Sequence, residues 1–198
     1  RSARHRLVGP DAMFGHTADD QAETLLLALL RGSGATGLAA IRPGHAHPLL
    51  ALRRSETHAL CAALDLEPII DPTNTDLRFR RNRVRSELMP LVDAIGERDV
   101  VPLVTRTAEL LRDDDDLLDH LARAIDPTDA RALADAPLPL ARRAVRRWLT
   151  HDGYPPDAGA VARVLAVAAG SATACEVAGL GRISRTNQRL RVGDPLPP

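Results

Sequence analysis

Gly15-His16-Thr17-Ala18-Asp19-Asp20-Gln21-Ala22-Glu23-Thr24-Leu25-Leu26-Leu27-Ala28-Leu29-Leu30 is the stretch on which the fold turns. Just ahead of it, Asp11-Ala12-Met13-Phe14 reads as a short strand ended by Gly15. The leucine run reads as a helix from Thr17 to Arg31, stopped by left-handed turns at Gly32 and Gly34. A strand that hands over to a helix is the building unit of an open α/β sheet, where ligands bind beyond the carboxyl ends of the strands.

At about 100° per residue, His16, Asp20 and Glu23 fall on one arc of that helix, with Ala18, Ala22, Leu25 and Leu29 on the opposite side. An imidazole grouped with two carboxylates can hold Mg²⁺, orient an ammonium or accept a proton. The same residues also suit a plain helix start, because first-turn carboxylates meet the positive end of the helix dipole and a first-turn His can cap it.

Working outward, a helix is expected over Ser55 to Leu64, with Ser55 as its N-cap, and a short strand over Pro68 to Ile70. Alternation of this kind predicts a parallel sheet with covering helices. From Leu91 onward helices take over, at Val101 to Leu111, Asp113 to Ile125, Leu140 to His151 and Ala158 to Ala169, with Pro137, Pro139, Pro155 and Pro156 between them. The run Asp113-Asp114-Asp115-Asp116 would then open the second of these helices. The tail from Glu176 to Val192 suits a hairpin. Two domains are expected, 1–95 and 96–198.

Composition narrows the class. The 198 residues are 44% hydrophobic, enough to bury a core, but only 2% aromatic, so aliphatic side chains must fill it. Basic and acidic residues balance at 26 each, and any attraction for nucleic acid is therefore local. No apolar run is long enough to span a membrane, and a cytoplasmic protein is expected. Cys61 and Cys175 form no Cys-x-x-Cys pair, which argues against zinc and thioredoxin-like sites. Cys61, among alanines and a leucine, is expected to be buried. His5, His45, His47, His58, His120 and His151 share no metal-ligand spacing.

Basic residues gather in three places. Arg78, Arg80, Arg81, Arg83 and Arg85 follow Asp71-Pro72-Thr73-Asn74-Thr75-Asp76, and guanidinium forks at this density suit RNA phosphates as well as a solvated helix face. Arg78, Arg81 and Arg85 would share one face, with Val84, Leu88 and Leu91 as a buried stripe. Arg142, Arg143, Arg146 and Arg147 flank Trp148, which reads as a core anchor. Arg182, Arg185, Arg189 and Arg191 follow in the tail. The loop Gly32-Ser33-Gly34-Ala35-Thr36-Gly37 comes after a helix, so by position it is a helix stop before it is a phosphate cradle.

The segment from Gly15 to Leu38, followed by DPTNTDLRFRRNRVRSELMPLV from Asp71 to Val92, resembles the tRNA(Ile)-lysidine synthetase family of the PP-loop ATP pyrophosphatase superfamily. The first motif also occurs in looser form in PP-loop enzymes that thiolate tRNA cytidine, which carry cysteine pairs; the second is closer to the lysidine branch. The family's Ser-Gly-Gly-x-Asp-Ser loop does not occur in these residues, and Arg1 to Leu7 reads as the end of a later family helix. The resemblance therefore implies an α/β, adenine nucleotide α hydrolase-like chain: the later part of a parallel-sheet PP-loop domain, then a mostly helical domain.

For such a chain the family implies an ATP-dependent ligase that joins free L-lysine to C2 of the wobble cytidine of isoleucine tRNA, with Mg²⁺ screening the phosphates; it also allows a homodimer. Asp20 is the expected lysine-orienting or basic carboxylate, supported by Glu23, and His16 is expected to meet phosphate or the adenylated intermediate. Arg31 and Ser33 are expected near nucleotide or RNA. Arg78, Arg81, Asn82, Arg83, Arg85, Arg142, Arg143, Arg146 and Arg147 are expected to meet tRNA. The alternatives are a tRNA cytidine thiolase or a non-catalytic tRNA-binding piece.

Overall fold

The computed structural model describes residues 11–69, 71–151 and 153–193, so Arg1 to Leu7, and with them His5, lie outside the described residues. The chain divides into two compact units, with the division between Asp115 and Asp116.

In the first unit, helix α1 spans Ala18–Leu29. Its entry is fixed by Asp20, whose Oδ2 accepts hydrogen bonds from the Thr17 backbone N–H at 2.9 Å and the Thr17 hydroxyl at 3.0 Å. Gly32 stops the helix at φ 69°, as expected; Gly34, at φ −76°, instead precedes the short helix α2, Ala35–Leu38. A Cβ on Gly37 would stand 2.6 Å from Ser33 Cβ, so the loop closes on itself only with glycine there. The expected division of α1 into a chemical and an apolar side does not hold. Glu23 and Gln21 are buried along with Ala18, Ala22 and Leu25, while Leu29 is 57% exposed. Burial of Gln21 is compensated, because its amide bonds both the N–H and the C=O of Ile41 at 2.8 and 3.1 Å.

Helix α3 spans Arg54–Ala63 and starts one residue earlier than expected. Its N-cap position is Arg53 rather than Ser55, and Glu56 accepts from the Arg53 N–H at 2.6 Å. Cys61 on this helix is half-buried, not buried, since no α3 residue enters the core. A single 3₁₀ turn, Pro72–Thr75, leads to helix α4, Arg80–Arg83. From there the chain widens through one π turn, Val84–Leu88, into helix α5, Met89–Gly96. Pro90 has no N–H to give to the preceding turn, a cause of such widening. Val84 and Leu88 pack inward with Ala18, Ala22, Met89, Val100 and Val101, but Leu91 is 55% exposed.

The strands expected at 11–14 and 68–70 are not laddered. The Phe14 N–H bonds the Ala46 carbonyl at 2.8 Å, yet no strand is assigned among the described residues of this unit, and Ile70 lies outside them. A strand exists only with a hydrogen-bonded neighbour, so an extended segment that reads correctly alone stays unpaired until one is present.

Helix α6 runs unbroken over Val101–Ala122, where two helices were expected. Neither Gly nor Pro occurs between Leu103 and Ile125, and the acidic run sits mid-helix instead of opening a new one. Fully buried Asp115 accepts from the Thr36 hydroxyl at 2.9 Å, and Arg112 gives Nη2 to the carbonyls of Ala39 and Ile41 at 3.0 and 3.2 Å.

The second unit contains α7, Ala130–Asp135, α8, Leu138–Leu149, and α9, Ala158–Ala169. The short α7 was not anticipated; Asp129 caps it by accepting from the N–H groups of Arg131 and Ala132. An antiparallel sheet follows, with β1, Ala174–Val177, β2, Gly181–Thr186, and β3, Arg189–Gly193, in that order. The single expected hairpin is thus two. The second turns at Asn187 and Gln188, both left-handed at φ 50° and 61°, the conformation a tight hairpin turn requires. Ala144, Val145, Val164, Val167 and Ile183 form the centre of the core, and half-buried Trp148 packs against it.

Candidate functional site

Glu23 is the centre of the site. It is 1% exposed, and its carboxylate is held from three directions. Oε1 accepts from Arg54 Nη2 at 3.0 Å and Arg85 Nε at 2.7 Å; Oε2 accepts from Arg81 Nε at 2.8 Å and Arg85 Nη2 at 3.2 Å. Asp20, one turn earlier, accepts at Oδ1 from Arg81 Nη2 at 3.1 Å and Arg54 Nη2 at 3.2 Å. Asp19 takes a fork from Arg53, at 3.1 and 3.2 Å, and the Arg54 N–H at 2.7 Å; Arg53 also pairs with Asp99.

The two motifs of the sequence therefore meet in one network. Helix α1 presents the acids, and α4 with its π turn brings Arg81 and Arg85 back across the chain. Asn82 fixes the approach. It is buried, and its amide donates to the carbonyls of Thr73 and Asp76 at 2.8 and 2.9 Å, which binds the Asp71–Asp76 turn to α4.

Charge follows the geometry. Burial pushes the Asp20 carboxyl up, but the Thr17 hydrogen bonds and the fields of Arg54 and Arg81 outweigh it and hold the group below its ordinary 3.8. Asp19 is lowered in the same way, burial being offset by Arg53 and the Arg54 N–H. The Arg85 guanidinium is pushed further up by its bond to Glu23. Side chains of Arg54, Arg81 and Arg85 stay 27%, 31% and 33% exposed, so each shows one edge to solvent while the other holds a buried carboxylate. A cleft of about 180 Å³ opens beside them, lined by Asp19, Arg53, Arg54, Arg85, Met89 and Asp93 among others.

His16 stands in a different group. Its Nδ1 is 3.1 Å from Nδ1 of His47, and Phe14 lies against both rings. Arg31 is exposed; Ser33 is half-buried, its N–H bonding the Ala28 carbonyl at 3.0 Å. Arg78 does not join Arg81 and Arg85 on one face, because α4 begins only at Arg80; it forks instead onto Asp76. Arg83 pairs with Glu87 four residues on. In the second unit, Arg143 pairs with Asp119 at 2.5 Å and Arg147 reaches the Ala122 carbonyl at 3.3 Å, while Arg142 and Arg146 are exposed.

Arg53, Arg54 and His47 carried no signal in the sequence reading. Nothing in the spacing of His47 tied it to His16. The described residues do not form a Mg²⁺ site: among them no three His, Cys, Asp or Glu side chains group around a common point.

Residues 12–92 match the family model of the PP-loop domain. Across a longer span the chain is similar to tRNA(Ile)-lysidine synthases. It is 45% identical over 161 residues to the one from Mycolicibacterium paratuberculosis, covering 76% of this chain and 50% of that protein. It is 44% identical over 168 residues to the one from Nocardia farcinica, covering 77% and 53%, and 41% identical over 167 residues to the one from Mycobacterium leprae, covering 77% and 52%. The chain spans about half the length of the curated relatives it matches.

Proposed function

We propose that this chain serves the ATP-dependent attachment of free lysine to C2 of the wobble cytidine in isoleucine tRNA, in the cytoplasm. The similarity to tRNA(Ile)-lysidine synthases supports this reading, and one observation carries it: Asp20 and Glu23 of the first motif are joined to Arg81 and Arg85 of the second. In the reaction the resemblance implies, the cytosine C2 oxygen attacks the α-phosphorus of ATP and pyrophosphate leaves. The lysine ε-amine then attacks C2, and AMP departs with the oxygen.

Asp20, kept anionic by its neighbours, is suited to orient the lysine ammonium by charge and is a poor proton acceptor. Glu23 supports it by fixing the guanidiniums of Arg81 and Arg85 around it. His16 meets a phosphate or the adenylated intermediate, with Arg31 and Ser33 near the nucleotide. Exposed Arg78, Arg83, Arg142 and Arg146 contact the tRNA backbone, and Arg143 and Arg147 extend that second surface. Arg81, Asn82 and Arg85 shape the segment that presents the base. No helix of the described residues is long and apolar enough to cross a membrane.

The test is incorporation of labelled lysine into isoleucine tRNA by the protein expressed from its complete reading frame. Incorporation should require ATP, and Asp20→Asn should lower it by about a hundredfold or more with the fold intact. No incorporation by the folded wild-type protein would overturn the activity. Near-normal turnover by the folded variant would remove Asp20 from the chemistry.

A further inference from the structure

The two histidines at the entrance of α1 constrain one another. Nδ1 of His16 and Nδ1 of His47 are 3.1 Å apart, the rings lie 5.0 Å between centroids at 53°, and Phe14 packs against both. At this separation one proton lies between the two nitrogens: two N–H groups would repel, and so would two lone pairs. One ring is therefore the Nδ1–H form. Its partner accepts at Nδ1 and, when neutral, carries its own proton on Nε2.

The loop that bears His47 is tied down on both sides of it. The Phe14 N–H bonds the Ala46 carbonyl and the Ala18 N–H bonds the Leu52 carbonyl, each at 2.8 Å, while the His47 N–H bonds the Gly44 carbonyl at 2.9 Å. The contact thus joins two backbones that are already held together where α1 begins.

We propose that His47 is a positioning residue: it donates its Nδ1–H to His16 and so fixes His16 as the Nε2–H tautomer. A proton on Nε2 makes that nitrogen a donor, the polarity that an anionic phosphate oxygen requires; the opposite tautomer would turn a lone pair toward it. The inference rests on the role of His16 given above, and it assigns the part played by a residue outside both motifs.

Ring-¹⁵N spectra of the complete protein, in which the two tautomers give different long-range correlation patterns, test this directly. His16 should appear as the Nε2–H form and His47 as the Nδ1–H form. In the lysine incorporation assay, His47→Ala should reduce turnover about tenfold or more, the order at which partners that orient a functional histidine are felt. His47→Asn, whose side-chain amide N–H occupies the place of the Nδ1–H, should restore most of it. A purely structural role would not separate two variants with equal melting temperatures. An Nδ1–H His16 in the wild-type spectrum overturns the proposal, as does an Asn variant no better than the Ala variant when both are folded. Absence of lysine incorporation by the wild-type protein overturns the functional reading, and the spectrum still decides the tautomer.

Discussion

Arg85 Nε donates to Glu23 Oε1 at 2.7 Å across 62 residues of sequence. The contact carries more than one ion pair, because the same carboxylate also receives Arg54 and Arg81. A buried anion held by several cations is costly to break from the anionic side, since its removal leaves the guanidiniums to repel one another around the space it filled.

Glu23→Ala should accordingly destabilise the protein by about 3–5 kcal/mol, read as a fall in the urea midpoint. Glu23→Gln keeps the volume and one good acceptor, so its loss should be smaller. Combining Glu23→Ala with Arg85→Ala should cost less than the sum of the two, by about 0.5–3 kcal/mol. Additive losses would show that the two side chains do not depend on one another.

A second expectation concerns pH and the second unit. The Thr128 hydroxyl and N–H, followed by Arg189, hold the Asp126 carboxyl at about 2, against an ordinary 3.8. A carboxyl lowered on folding stabilises the folded state above its unfolded value, and that contribution disappears as pH falls through the folded one. The melting temperature of the wild-type protein should therefore exceed that of Asp126→Asn above 3.8, with the gap closing between 3.8 and about 2. A gap that persists below this window would place the effect of the substitution elsewhere than in the charge of Asp126.

What could be read from sequence depended on how local its cause was. α1 and α9 were legible because the leucine run with its stop at Gly32, and the apolar run that follows Pro155 and Pro156, are local signals. The strand at 11–14 was not, because its pairing depends on a neighbour. The acids and the arginines of the site were each visible as groups, yet their union was not: no spacing rule indicates that Arg81 and Arg85 turn back onto Glu23 instead of facing solvent. The π turn before Pro90 alters the angular step of the chain, so a helical wheel drawn across Arg78 to Leu91 misplaces both ends. His47 was invisible for the same reason as the union of the motifs, since it reaches His16 through a loop with no periodic signature.

The arginines of the second motif divide by burial, and this gives the last prediction. Arg85 spends its fork on Glu23, whereas Arg83 is 61% exposed and pairs, among the described residues, with half-exposed Glu87, a contact that solvent screens. Arg83→Gln should leave the melting temperature nearly unchanged, weaken tRNA binding and reduce the slope of log affinity against log salt by about 1, because one fewer counterion is released on binding. Arg85→Gln should do the reverse, lowering the melting temperature while the folded fraction keeps the wild-type slope. Exposed Arg142 and Arg146 should follow Arg83 if the second unit also lies on the backbone. Titrations of tRNA at several salt concentrations, paired with thermal melts of each variant, separate these outcomes. An equal loss of slope for Arg83→Gln and Arg85→Gln would mean that Arg85 leaves Glu23 to meet phosphate when tRNA binds.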